Sequence, residues 1–221
     1  FASLAEYMAL PAADRAAFDI VFVRANADNS DTDLNTTITL LNGQALYGDG
    51  TGQARFNAQE LIAAGVGPLL LPGQTVGSTP LLTNSGLAGA DVVTLASANE
   101  VAFLTIDGTG TGRGIVGTNI DGFNIHDNRI RNLIDGIGIT SNPTPVLNCP
   151  GENSGIVANN VITGTGQTNP IDPGGIVLTH TAGTLAFQLT GNTVTEFNQF
   201  GADITVTGGT MNADDEVGGF F

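Results

Sequence analysis

Ile125-His126-Asp127-Asn128-Arg129-Ile130, Val157-Ala158-Asn159-Asn160-Val161-Ile162 and Leu189-Thr190-Gly191-Asn192-Thr193-Val194 are three copies of one phrase. In each, an asparagine stands three positions after one apolar residue and two before another. The asparagines are 32 residues apart both times. A fixed interval of this length means one structural unit copied and stacked. Each copy therefore reads as part of one coil of a parallel β-helix, whose strands pair with the equivalent strands of the next coil about 4.8 Å away. Inward positions then form apolar columns, one of Ile125, Val157 and Leu189 and another of Ile130, Ile162 and Val194. Asn128, Asn160 and Asn192 are expected to form a structural ladder at the bend. Asparagine tolerates left-handed backbone there, and its amide can bond to the asparagine of the next coil. What changes between copies is the surface, since His126-Asp127 gives way to Ala158-Asn159 and Thr190-Gly191.

A second phrase recurs as Gly136-Ile137-Gly138-Ile139-Thr140, Gly175-Ile176-Val177-Leu178-Thr179 and Gly201-Ala202-Asp203-Ile204-Thr205, at intervals of 39 and 26. Unequal intervals beside a constant one mean that insertions enter at one corner of the coil. The stretches 142–154 and 165–173, rich in Pro, Gly and Asn, are the expected corners. Shorter strands precede the repeats. They are predicted over 19–24, 37–41, 44–47 and 92–95, over 101–106 as one strand, and over 114–117. Residues 51–90 carry broken apolar segments, which suggest an excursion from the coil.

At the start, Ser3-Leu4-Ala5-Glu6 fits a capping box, and Leu4, Tyr7, Met8 and Leu10 share a helical face that Pro11 ends. A second helical turn is predicted over 12–18. The fold class read from the sequence is thus all-β, a right-handed parallel β-helix (solenoid) with a short N-terminal capping helix. Residues 1–18 form the cap and 19–221 the β-helix, with irregular early coils over 19–90 and regular coils over 91–221.

Of 221 residues, 41% are apolar but only 12% charged, so the polar surface must come largely from Thr, Asn, Ser, Gln and Gly. All six basic residues are arginines and the formal charge is −15, which repels nucleic-acid phosphates and excludes DNA or RNA as a partner. The longest apolar run, Gly67-Pro68-Leu69-Leu70-Leu71-Pro72, is too short and too broken to be a membrane span. The single cysteine, Cys149, allows no internal disulfide and reads as an inert thiol in a turn. The absence of an initiator methionine and of a signal-like leader suggests a trimmed piece of an exported product. Asp28, Asp31 and Asp33, among Asn26 and Asn29, offer closely spaced oxygens. They are the candidate ligands for Ca²⁺, although without EF-hand spacing they read first as a solvated acidic loop.

The phrases at 122–130, 155–162 and 189–194 resemble the right-handed parallel β-helix repeats shared by pectate-lyase-like enzymes and many bacterial secreted and cell-surface proteins. Residues 19–24 and 38–50 are similar to the first coils of such surface proteins. The resemblance covers most of the chain and implies an exported, coil-stacked domain; it carries no activity with it.

Pectate lyases of this fold use Ca²⁺ and a basic residue. With no lysine present, Arg113, Arg129 or Arg131 would have to serve, beside Asp121, His126 and Asp127. Asn119-Ile120-Asp121-Gly122 faintly resembles a polygalacturonase motif, but the further carboxylates and the Gly-His-Gly of that family are missing. His126 and His180 have no nearby cysteine or histidine with metal-ligand spacing. The expected function is therefore a non-enzymatic structural or adhesive β-helix, extracellular or on the bacterial cell surface. It requires no cofactor, with Ca²⁺ as an option. Its partner is itself, end to end as a fibre or surface matrix, or a surface polysaccharide. The rival is a carbohydrate-active enzyme or binding module for acidic polysaccharide, with an outward groove lined by Arg113, Arg129, Arg131, Asp121 and His126.

Overall fold

Strand pairing decides this architecture. In the computed structural model, every registered strand pair is parallel. The structure describes residues 3–23, 36–48, 79–83, 89–108, 112–142, 154–165, 174–197 and 199–213. Its strands form three sheets. The first contains β1 (Ile20–Val23), β3 (Ala45–Gly48), β6 (Asn99–Ala102), β9 (Phe123–His126), β12 (Ser154–Ala158), β15 (Thr184–Thr190) and β18 (Thr210–Ala213), in that order. The second contains β4 (Leu81–Thr83), β7 (Thr105–Asp107), β10 (Arg129–Arg131), β13 (Val161–Thr163) and β16 (Thr193–Thr195). The third contains β2 (Ile38–Thr39), β5 (Val93–Leu95), β8 (Arg113–Ile120), β11 (Asp135–Ser141), β14 (Gly174–His180) and β17 (Ala202–Val206). From β3 onwards the chain visits first, second and third sheet in unbroken rotation, so each circuit of three strands lies on the previous one.

The apolar columns follow this register. Ile125 pairs with Val157 and Val157 with Leu189, while Ile130 pairs with Ile162 and Ile162 with Val194. All except Val194 are buried. In the third sheet Ile137 faces Ile176 and Ile176 faces Ala202, so the 39- and 26-residue intervals also meet in register. Arg129 and Arg131 point outwards on either side of buried Ile130, as strand alternation requires.

Two local readings are corrected. The left-handed residue at the bend is the one before the asparagine: Asp127 (φ 54°), Asn159 (φ 55°) and Gly191 (φ 63°). Asn128, Asn160 and Asn192 are therefore selected for their amides alone. Residues 101–106 do not form one strand either. The chain turns between β6 and β7 at Phe103, whose φ of 63° makes it the equivalent of Asp127 one circuit earlier. No Asn or Gly signals that corner. Of the other early strands, β1 (Ile20–Val23), β2 (Ile38–Thr39) and β5 (Val93–Leu95) are shorter than predicted, β3 (Ala45–Gly48) is shifted by one residue, and β8 is longer at Arg113–Ile120.

Glycine occupies the position before the inward isoleucine in the third sheet. A Cβ on Gly114 would meet the Gly136 carbonyl, and one on Gly136 would meet Ile162 and the Gly175 carbonyl. Successive circuits approach too closely there for any side chain.

Ahead of the strands stand α1 (Leu4–Ala9) and α2 (Ala12–Arg15), the latter shorter than predicted. The Ser3 hydroxyl accepts the Glu6 amide at 3.2 Å, the first half of the predicted capping box. Leu4 and Tyr7 are buried in the main core. Gln44, itself buried, ties this segment to the first circuit: its Nε2 donates to the carbonyls of Arg15 (2.9 Å) and Phe18 (2.7 Å). Arg15 in turn donates to the Thr39 carbonyl at 2.8 Å.

Candidate functional site

The asparagine column is a continuous hydrogen-bond relay. The Oδ1 of Asn160 accepts from the Asn128 backbone amide (3.0 Å) and from Asn128 Nδ2 (3.1 Å). Asn192 Oδ1 receives the same two bonds from Asn160, both at 3.0 Å. Each Nδ2 also donates across to the preceding circuit, to the carbonyls of Val101, Ile125 and Val157. The column ends upstream at Leu104, whose amide donates to Asn128 Oδ1 at 3.2 Å. With Asn128 and Asn160 buried, these bonds satisfy backbone groups that strand pairing leaves open at the corner.

Of the five groups of the polysaccharide groove, Arg129 and Arg131 share one strand and the others stand on separate elements. His126 lies on β9 in the first sheet, Arg129 and Arg131 on β10 in the second, and Arg113 on β8 in the third. Asp121 follows β8, where its amide donates to Ser97 Oγ at 2.9 Å. Arg113 forms a two-pronged pair with Asp91, both contacts at 2.8 Å, and this partner raises its pKa. Arg131 donates to Asp107 at 2.7 Å; the two occupy registered positions on β10 and β7. Arg129 is exposed. Two of the arginines are thus matched to carboxylates of the adjacent circuit rather than gathered for a ligand.

His180 is wholly buried on β14 in the third sheet, away from His126, with Nε2 3.4 Å from the Gly183 carbonyl. Asp28, Asp31, Asp33 and Cys149 lie outside the described residues, as do most of the corner stretches 142–154 and 165–173. Among the described residues, no group of three or more His, Cys, Asp or Glu is placed to hold a metal ion.

One constellation went unread in the sequence. On the outer face of the first sheet, His126 Nε2 lies 2.7 Å from Glu100 Oε1, and its Nδ1 lies 2.8 Å from Asp127 Oδ2. Its ring meets Phe103 edge to face at 5.5 Å, and Phe103 lies 6.4 Å from Tyr47. Tyr47, Ala102 and Phe103 form a small buried cluster separate from the main core. Burial lowers the His126 pKa, but the hydrogen bonds and charges of Glu100 and Asp127 outweigh it and leave it raised. Burial raises Glu100, and the bonds from His126 and Tyr47 outweigh that and leave it lowered. Glu100 is 26 residues before His126 and belongs to a circuit without the repeated phrase. Only the register that sets Ala102 beside His126 brings it near.

These observations define an all-β protein of three stacked parallel sheets, with asparagine-bridged corners and paired surface charges. No protein-family model, curated protein or solved structure matches this chain. Among the described residues, no helix is long and apolar enough to cross a membrane.

Proposed function

We propose that the three sheets close into a right-handed parallel β-helix, akin to the pectate-lyase-like repeats that the sequence resembles. We further propose that this β-helix serves as a non-enzymatic structural or adhesive element of the bacterial cell exterior. The observation that carries the reading is the use of surface charge. Arg113 and Arg131 hold carboxylates of neighbouring circuits, so two of the three candidate basic groups for uronate cleavage are engaged in joining the stack. Placement of Arg113, Arg131 and His126 on three different sheets disfavours a shared groove for an acidic chain, and the net charge of −15 opposes its approach. The test is a cleavage assay on uronate polymers with and without Ca²⁺. No turnover is expected, and turnover that disappears in Arg129→Ala would overturn the reading in favour of a carbohydrate-active enzyme. Ca²⁺ at Asp28, Asp31 and Asp33 is an option of the same proposal, checked by calcium titration calorimetry.

End-to-end association with a second copy is supported at one end of the stack. The inward column of Leu95, Ile139 and Leu178 is buried at 5%, 4% and 2%, but its last member, Ile204, is 42% exposed. Val206 is 49% and Phe200 48% exposed beside it. Among the described residues β16, β17 and β18 are each the terminal strand of their sheet, and terminal strands offer unpaired backbone groups. At the opposite end α1 lies against β2, so a copy stacking there would have to displace it. Pairing of two copies through the β16–β18 end is the form of assembly these features favour.

A further inference from the structure

The turn at Phe103 is strained in a way its counterparts are not. At the equivalent corner of later circuits stand Asp127, Asn159 and Gly191, residues that enter the left-handed region at low cost; a bulky aromatic residue does so rarely. Gly48 lies against this turn, where a Cβ would collide with the Phe103 carbonyl. The strained turn persists because its ring is held between Tyr47 and His126.

His126 is in turn fixed by two carboxylates, one on each ring nitrogen. Ionised carboxylates only accept hydrogen bonds, and a neutral imidazole has a single N–H. Both contacts are therefore satisfied only by the imidazolium. We propose that Glu100, His126 and Asp127 form a proton-dependent clasp that holds the strained Phe103 turn and the outer face of the first sheet closed. Loss of the histidine proton loosens it.

The groups facing His126 are few. Glu100 comes from β6 and Asp127 from the turn after β9. β3 contributes Tyr47, which bonds Glu100. β12 contributes only Ala158 at the registered position. The raised His126 value means that its stabilisation is fully present below the ordinary histidine value of about 6.5 and is lost as pH rises through the raised value. The lowered Glu100 value means that its stabilisation is present above the ordinary carboxylate value and is lost as pH falls through the lowered one. The clasp is thus fully closed between those two ordinary values and opens on the alkaline side.

The experiment is NMR on the intact chain. The His126 resonance is assigned by its absence in His126→Ala, a change the fold accommodates because Ala102 and Ala158 occupy the registered positions on either side. Its titration midpoint is expected above 6.5 and is expected to fall in both Glu100→Gln and Asp127→Asn. The latter retains a residue suited to φ 54°. The amide of Leu104, which bonds Asn128 Oδ1, reports on the turn. Its protection factor is expected to drop as His126 deprotonates, by about tenfold for each unit of midpoint elevation, and to show no such drop in His126→Ala. A midpoint at or below 6.5, or the same pH dependence of Leu104 protection in both proteins, would overturn the proposal.

Discussion

Asn160 receives two hydrogen bonds from Asn128, donates two equivalent bonds to Asn192, and reaches across to Ile125. Asn160→Leu removes the acceptor for buried donors, each of which costs about 1–3 kcal/mol when left unsatisfied. A drop of roughly 3 kcal/mol in unfolding free energy is expected, read from the urea midpoint. Asn192→Leu should cost less, because Asn192 is half-buried and no equivalent asparagine bonds follow it among the described residues. The neighbouring residue answers to a different constraint. Asn159 has φ 55°, so Asn159→Val should lose about 1–2 kcal/mol to left-handed strain, whereas Asn159→Gly should stay near wild type, as Gly191 does the same job one circuit on. Equal melting temperatures for Val and Gly would show that the turn is free to change conformation.

At the scale of an element, the third sheet depends on a column of absent side chains. Gly136 lies where its circuit touches both the Gly175 carbonyl and the Ile162 side chain. Gly136→Ala forces either the strand pair or the Ile162 rotamer to shift, at about 1–3 kcal/mol for an overpacked site. Gly138, whose added Cβ would approach nothing closer than 3.9 Å among the described residues, is the matched control and should tolerate alanine. Thermal melts of the two variants followed by circular dichroism separate close packing from a general effect of replacing glycine in a strand. The glycines that open the repeated Gly-Ile phrase were legible in the sequence, but their reason was not, because it depends on a carbonyl 39 residues away.

Across the whole molecule, burial follows the columns until the last circuit, where Phe200, Ile204 and Val206 are exposed. If two copies meet there, sedimentation velocity should show a dimer that strengthens with salt, since screening weakens repulsion between chains of charge −15. Ile204→Glu should return the protein to monomers without unfolding it. Monomers at all salt concentrations for the unaltered chain would dismiss the end contact. Arg129→Ala, at an exposed position on β10, should leave the melting temperature within a degree or so of wild type, as surface changes of this sort usually cost little.

Sequence periodicity alone determined the parallel stacking, the apolar columns and the identity of the bridging asparagines, because a repeated interval fixes which residues lie over one another. It also marked Arg129 and Arg131 as outward, since Ile130 between them had to face the core. Only the tertiary structure decided the rest. The corner at Phe103 was invisible because an aromatic residue there breaks the local preference that Asp127, Asn159 and Gly191 obey at the equivalent corner of later circuits. The Arg113–Asp91, Arg131–Asp107 and His126–Glu100 pairs were hidden for a related reason. Each joins residues more than twenty positions apart, at least one of them in a circuit where no repeated phrase sets the register. Periodicity reports what every circuit shares, whereas these contacts depend on side chains that only one circuit carries.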